Sequence, residues 1–201
     1  MAYEKKLVDH KLHSWENYFR DFRLPDWREI PDFGLYMEQV LSLINSYLDY
    51  VPRELRAEQL LTAATINNYV RKKIMPEPVK KKYYRVHIAY LVMIYTLRQT
   101  LSMTTLTLMI PSGLSAEEFR PIYEAYVKRY QLTAGHFMKE VREAAAGIVG
   151  EEMTGELATD DPRNLIISSV VISGFARLLA ERLLLLDGRT MEGEAERNRE
   201  D

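Results

Sequence analysis

The sequence predicts an all-α protein, and three observations carry that prediction. Apolar residues recur at three- and four-residue spacing in one segment after another. Serine, threonine and aspartate stand just before several of those segments, where the free amides of a first helical turn need an acceptor. Pro25, Pro52, Pro76, Pro78 and Pro111 stand at the ends of segments, and the residue before a proline avoids the helical region. About seven helices and no sheet are expected.

Val8, Leu12, Trp15, Phe19 and Phe22 form one apolar stripe on a first helix, which should stop before Pro25. Residues 24–33, LPDWREIPDF, hold two prolines and a tryptophan and read as an ordered connector. A second helix spans 35–50 with Met37, Val40, Leu41, Ile44 and Leu48 on its apolar face; Pro52 ends it. Thr62 is placed to cap a short helix over 63–73. Ile66, Tyr69 and Val70 share its inner face, Tyr69 with its hydroxyl at the rim. Ala64, Thr65, Asn68, Arg71 and Lys72 lie opposite, and Asn67 sits at the boundary.

Pro76 and Pro78 stiffen the following turn. The helix over 85–101 is apolar nearly all round in its middle, IAYLVMIYTL, so it belongs at the centre of a core. Ser102 caps a short helix over 103–110. Ser115-Ala116-Glu117-Glu118 fits a capping box. Phe119, Tyr123, Tyr126, Tyr130, Phe137, Val141, Ala144 and Ile148 then follow at coiled-coil-like spacing, with a break expected at Gly135. Residues 151–160 read as a loop. Asp161 caps a last helix with Pro162 at its first position and Gly188 as its stop. Residues 165–172 are rich in β-branched side chains, but the continuation FARLLAERLLLLDG has helical length.

At 201 residues the chain can bury a full core as one large domain or two small ones. It has no cysteine, which excludes disulfides and thiolate metal sites and fits a reducing cytoplasm. The N-terminus lacks the apolar core of a signal peptide. The apolar stretch over 165–176 meets Arg177 too early to span a bilayer, so a soluble cytoplasmic protein without membrane contact is expected. The last ten residues are charged and lack apolar anchors, so a disordered tail is expected over 192–201.

The formal net charge is −2, yet Arg71, Lys72, Lys73, Lys80, Lys81, Lys82 and Arg85 crowd into fifteen residues whose one acid is Glu77. Locally concentrated charge acts on a partner even when the whole chain is near neutral. A solvated charged face is the bland reading of such a cluster. Its position beside a short helix with a polar outer face favours duplex DNA.

Around this cluster the sequence resembles the MerR-type DNA-binding domain. TINNYVRKKIMPEP resembles that family's recognition helix and the turn into its wing, with Thr65, Ile66, Asn67, Asn68, Tyr69 and Arg71 at successive positions. KKYYRVHIAYLVMI resembles the end of the wing and the following helix. Asn67 replaces a usual arginine, and Lys73 replaces a usual glycine, where a left-handed turn would strain any other residue. The first helix of the motif is not recognisable near residues 54–60; the 35–50 helix is the alternative. A second resemblance covers residues 24–110. LPDWREIPDFGLYMEQV followed by INNYVRKKIMPEPVKKKY is similar to an uncharacterised bacterial family defined only as a domain of unknown function.

The resemblance implies a central winged-helix-like helix-turn-helix module over 61–111. N-terminal helices and the connector occupy 1–60, and a C-terminal helical region covers 112–191. The expected function is transcriptional regulation. Ala64, Thr65, Asn67, Asn68, Arg71 and Lys72 would face the groove, while Lys80, Lys81, Lys82 and Arg85 hold phosphates. Asn68 is expected to point outward and contact a base edge. A homodimer through the C-terminal helices is expected as well. The alternative is a helical interaction module that keeps the fold without binding DNA.

No cofactor, metal or catalytic group is expected. His10 and His13 share a helix face but lack a third ligand. His87 and His136 read as packing or surface residues, and Glu151, Glu152, Asp160 and Asp161 as solvated caps. No nucleophile elbow, phosphate loop or zinc motif is present.

Overall fold

The structure is a computed structural model that describes residues 3–21, 23–48 and 61–187. The expected end of the second helix at Tyr50, the segment 54–60, the Gly188 stop and the charged tail lie outside the described residues. Eight α-helices and one 3-10 turn are present among those residues: α1 (Lys5–Asp21), the turn Trp27–Glu29, α2 (Met37–Tyr47), α3 (Ala63–Arg71), α4 (Arg85–Arg98), α5 (Met103–Met109), α6 (Ala116–Ala144), α7 (Ala146–Val149) and α8 (Pro162–Leu184). Two isolated antiparallel bridges, Leu35 with Tyr83 and Val79 with Lys82, are the extended pairing among the described residues. The protein is all-α, as expected.

The core is built on α4. Ile88, Leu91, Val92 and Ile94 are completely buried, and the side chains between them are nearly so. Helices α2, α5 and α6 pack around α4, and α3 packs on α2. The buried cluster runs from Leu24 to Val127, so the connector and the first half of α6 belong to it.

The connector is held by specific bonds. The Tyr123 hydroxyl donates to the Pro25 carbonyl at 2.8 Å, and Trp27 lies against the Tyr123 ring at 5.9 Å between centroids. Tyr90 stacks on Phe119 at 3.7 Å and donates to the Pro111 carbonyl at 2.8 Å. These bonds place two phenols in apolar surroundings, each with its one donor satisfied.

Several expected caps are present. Oγ1 of Thr62 accepts from the Thr65 amide, Oγ of Ser102 from the Thr105 amide, and the Asp161 carboxylate from the Arg163 amide. Ser115 and Glu118 form the capping box. The amide and hydroxyl of Ser115 both donate to the Glu118 carboxylate, which holds its pKa below the usual range.

Two details differ from the sequence reading, and a third sharpens it. Helix α6 runs unbroken through Gly135, because one glycine costs only about 1 kcal/mol in a 29-residue helix held by its packing on α4 and α1. Leu35 is not helical: its amide and carbonyl both bond to Tyr83, each at 2.8 Å. Phe119, Tyr123 and Val127 are buried within this chain, and further along α6 packs on α1. Of the helix-packing and dimer seams that the spacing admits, the aromatic stripe is a helix-packing seam at its start.

Leu91→Ala should cost about 2–5 kcal/mol in urea unfolding, because a fully enclosed side chain leaves a cavity. A second expectation concerns alkali. Burial pushes Tyr90 up to about 12 and Tyr123 higher still, above the ordinary value of 10.0. The raised folded values mean that their stabilisation is full below about pH 10 and is lost as pH rises beyond it. The thermal midpoint should fall from pH 10 to 12, and less steeply in Tyr90→Phe.

Candidate nucleic-acid interface

Helix α3 is short, so its two faces are easily assigned. Ile66 and Tyr69 are buried, with Val70 partly buried beside them. Burial raises the Tyr69 phenol, and Arg98, bonded to it, opposes that rise. Ala64, Asn67, Arg71 and Lys72 are exposed and recur at helical spacing along the other side.

Thr65 is half-buried, its hydroxyl bonded to that of Thr62 at 2.8 Å, so it serves the cap. Asn68 is also half-buried. Its Oδ1 accepts from Nη2 of Arg71 at 2.8 Å. Asn68 lies opposite the inner stripe of Ile66, Tyr69 and Val70, and the Arg71 side chain bonded to it partly covers it; Asn67, at the boundary, is the more exposed of the pair.

The end of α3 is a Schellman motif. The Lys73 amide donates to the Val70 carbonyl at 2.9 Å and the Ile74 amide to the Tyr69 carbonyl at 3.0 Å, with Ile74 and Tyr69 both buried. Lys73 occupies the position that glycine usually takes, at φ 56°.

Six residues on, at Val79, the chain folds back as a two-residue hairpin. Val79 and Lys82 exchange amide-to-carbonyl bonds of 3.0 Å in both directions. Lys80 and Lys81 form the tip at φ 50° and 64°. Two positive φ values in succession define the turn type that normally selects Asn-Gly. Lys73, Lys80 and Lys81 are the non-glycine residues with positive φ among the described residues.

The hairpin is tied down from both sides. Nδ1 of His87 accepts from the Tyr84 amide at 3.0 Å, so the ring proton is assigned to Nε2, which donates to the Glu77 carbonyl at 3.0 Å. His87 is thus a buried cap joining the start of α4 to the hairpin's entry, a role spacing could not assign. The Leu35–Tyr83 bridge ties the hairpin's exit to the connector. Gly34 is required there, since a Cβ would lie 2.9 Å from Cβ and Cδ of Lys82.

Two expected phosphate contacts are committed elsewhere. Nε of Arg85 donates to the Ile30 carbonyl at 2.7 Å, and its guanidinium lies 3.8 Å from Asp32. The first turn of α4 therefore uses Arg85 to hold the connector. Lys82 is partly buried, with its ammonium 5.3 Å from the centre of the Tyr36 ring. Lys72, Lys73, Lys80 and Lys81 are exposed, and none of them forms an ion pair among the described residues.

Among the described residues no group of three or more His, Asp or Glu is placed to hold a metal. His13 instead faces Asp9 on its own helix at 3.0 Å. Arg142 joins Glu16 and Glu151, and its bond to Glu151 lowers that carboxyl's pKa.

A family profile, described as a domain of unknown function (DUF1836), matches residues 25–130. That span is more than half of the 201-residue chain. The chain belongs to the DUF1836 family. The DUF1836 span nearly coincides with the buried cluster from Leu24 to Val127, so the family corresponds to one packed unit. It contains the exposed face of α3, the hairpin and the connector; α1 and α8 lie outside it. No curated protein and no solved structure matches the chain.

A non-glycine residue in the left-handed region costs roughly 1–2 kcal/mol. Lys73→Gly and Lys81→Gly should each raise stability by about 1 kcal/mol. The check is the urea midpoint of each variant against wild type.

Proposed function

We propose that this chain is a transcriptional regulator that reads duplex DNA with α3 and the lysine-tipped hairpin. The observation that carries the proposal is the conformation of Lys73, Lys80 and Lys81. Glycine or asparagine would relieve the strain at each position, yet lysine stands at all three. Strained backbone that persists in an otherwise relaxed chain points to use of the side chains it carries. Here those side chains are exposed cations with no acid paired to them among the described residues.

In this reading Lys72, Lys73, Lys80 and Lys81 contact phosphates, and Ala64, Asn67 and Arg71 line the face that enters a groove. Asparagine can bond an adenine edge in two places, and alanine lets the helix approach closely. Arg71 leaves Asn68 to bind in the same groove. His87 holds the hairpin and Arg85 the connector, without touching the nucleic acid. The MerR-like arrangement has α2 and α3 as the paired helices and residues 79–82 as a minimal wing. Such a regulator works in the cytoplasm and needs no catalytic group.

The test starts from genome-wide selection of DNA fragments bound by the purified full chain. Affinity is then measured against salt on selected and random duplexes. Lys81→Ala should weaken binding to every duplex and lower the salt slope by about one unit. Asn67→Ala should cost about 1–3 kcal/mol on selected DNA and little on random DNA. Absence of salt-dependent binding to any duplex at low ionic strength sinks the regulator reading, leaving the helical interaction module in its place.

A further inference from the structure

The connector runs beside the hairpin, and two aromatic rings on it are left in water. Phe33 is 64% exposed and Tyr36 56%. They are the exposed aromatic side chains among the described residues of the family span; every other ring there is buried or half-buried. A lone exposed ring is ordinary on a protein surface. Its surroundings decide whether it has a use.

The register separates the two rings. Leu35 and Tyr83 bond to each other in both directions, an antiparallel pair. Residues after Leu35 therefore lie toward the hairpin tip, and residues before it toward the start of α4. Phe33 falls at the α4 end, next to Asp32, which lies 3.8 Å from the Arg85 guanidinium. Tyr36 falls at the tip end. The stem of Lys82 passes close over Gly34, and its ammonium stands over the Tyr36 ring at 5.3 Å. Tyr36 makes no ring-to-ring contact among the described residues. Its amide donates to Oε1 of Gln39 at 2.9 Å, which fixes the backbone that carries the ring. Around this ring Lys80, Lys81 and Lys82 outnumber the nearby acids, Glu77 at the hairpin's entry and Glu38 in the first turn of α2.

We propose that Tyr36 is a further contact to duplex DNA, its ring resting on a deoxyribose beside the phosphates that the hairpin lysines hold. The proposal rests on the DNA reading above and adds a residue that neither α3 nor the hairpin contains. A nucleic-acid strand alternates anionic phosphates with sugars whose C–H faces are apolar. A surface that tracks such a strand combines cations with aromatic rings. In a duplex the base faces are already stacked on one another, so the sugar is the apolar surface within reach of a ring at the strand's edge. The Lys82 ammonium holds the ring from one side. An uncharged ring displaces no counterions, so it adds affinity without adding salt dependence. That property separates its contribution from that of the lysines.

The experiment measures affinity against salt, on selected and random duplexes, for the full chain and three variants. Tyr36→Ala should weaken binding about tenfold on both duplexes with the salt slope unchanged, since apolar cover is lost and no charge is. Tyr36→Phe should bind as wild type, because the contact is the ring. Phe33→Ala, at the other end of the register, should also bind as wild type. All three should keep the wild-type circular dichroism spectrum, because both side chains are exposed. Benzoylphenylalanine placed at position 36 should cross-link to a selected duplex on irradiation, and at position 33 it should not. Wild-type affinity in Tyr36→Ala overturns the inference and leaves the DNA reading standing. A lowered salt slope in Tyr36→Ala overturns it as well, since the ring then acts only through Lys82. Equal losses from Tyr36→Ala and Phe33→Ala overturn the assignment to the tip end. Tighter binding of wild type to the single strand than to its duplex overturns the sugar contact in favour of base stacking. Absence of salt-dependent binding of wild type to any duplex overturns the DNA reading and this inference together, in favour of a protein partner.

Discussion

Helix α4 has no face left for water, and the rest of the fold follows from that constraint. A helix apolar all round is stable only when neighbours enclose it. Here α2, α5 and α6 do so. The few polar groups on α4 are answered locally: Thr96 bonds back to the carbonyls of Val92 and Met93 and to the Tyr126 hydroxyl. At its N-terminus the helix uses His87 and Arg85 to fix the backbone of residues 77 and 30. The enclosure that stabilises the core thereby also sets the position of the lysine hairpin.

The hairpin shows how stability and charge are set against each other. Its tip adopts a turn suited to Asn-Gly while carrying Lys-Lys. The core can hold such a tip because both flanks are bonded, at Glu77 through His87 and at Tyr83 through Leu35. A free hairpin of four residues would not keep this conformation against its strain. Rigid anchoring thus presents two cations side by side at a fixed place, which suits recognition of a regularly spaced anionic surface.

Helices α6 and α8 share a similar apolar spacing and meet different fates. The first turns of α6 bury Phe119, Tyr123 and Val127 against the body. Helix α8 leaves Val170, Phe175 and Leu179 each at least 60% exposed. Periodicity states that a face needs cover; it does not state whether the cover lies in the same chain. That distinction depends on where the loop over 151–160 releases the helix, and it releases α8 against α5.

The sequence by itself determined the helical class, the caps at Thr62, Ser102, Ser115 and Asp161, the central place of α4 and the concentration of lysines. Each of these depends on neighbours within about one turn or on a periodicity that local geometry imposes. The ordered connector was legible in its prolines and tryptophan, though not its bond to Tyr123, which joins residues 98 apart. Tertiary structure decided the roles of Asn67, Asn68, Lys82 and Arg85. Asn67 and Asn68 are adjacent in sequence, and the bond from Arg71 partly covers Asn68 while Asn67 stays exposed. Arg85 belongs to a basic run, and only the return of the connector offers it the Ile30 carbonyl. Composition counts charges. Which of them face solvent depends on contacts between residues far apart in the chain, and those exist only once the core has closed.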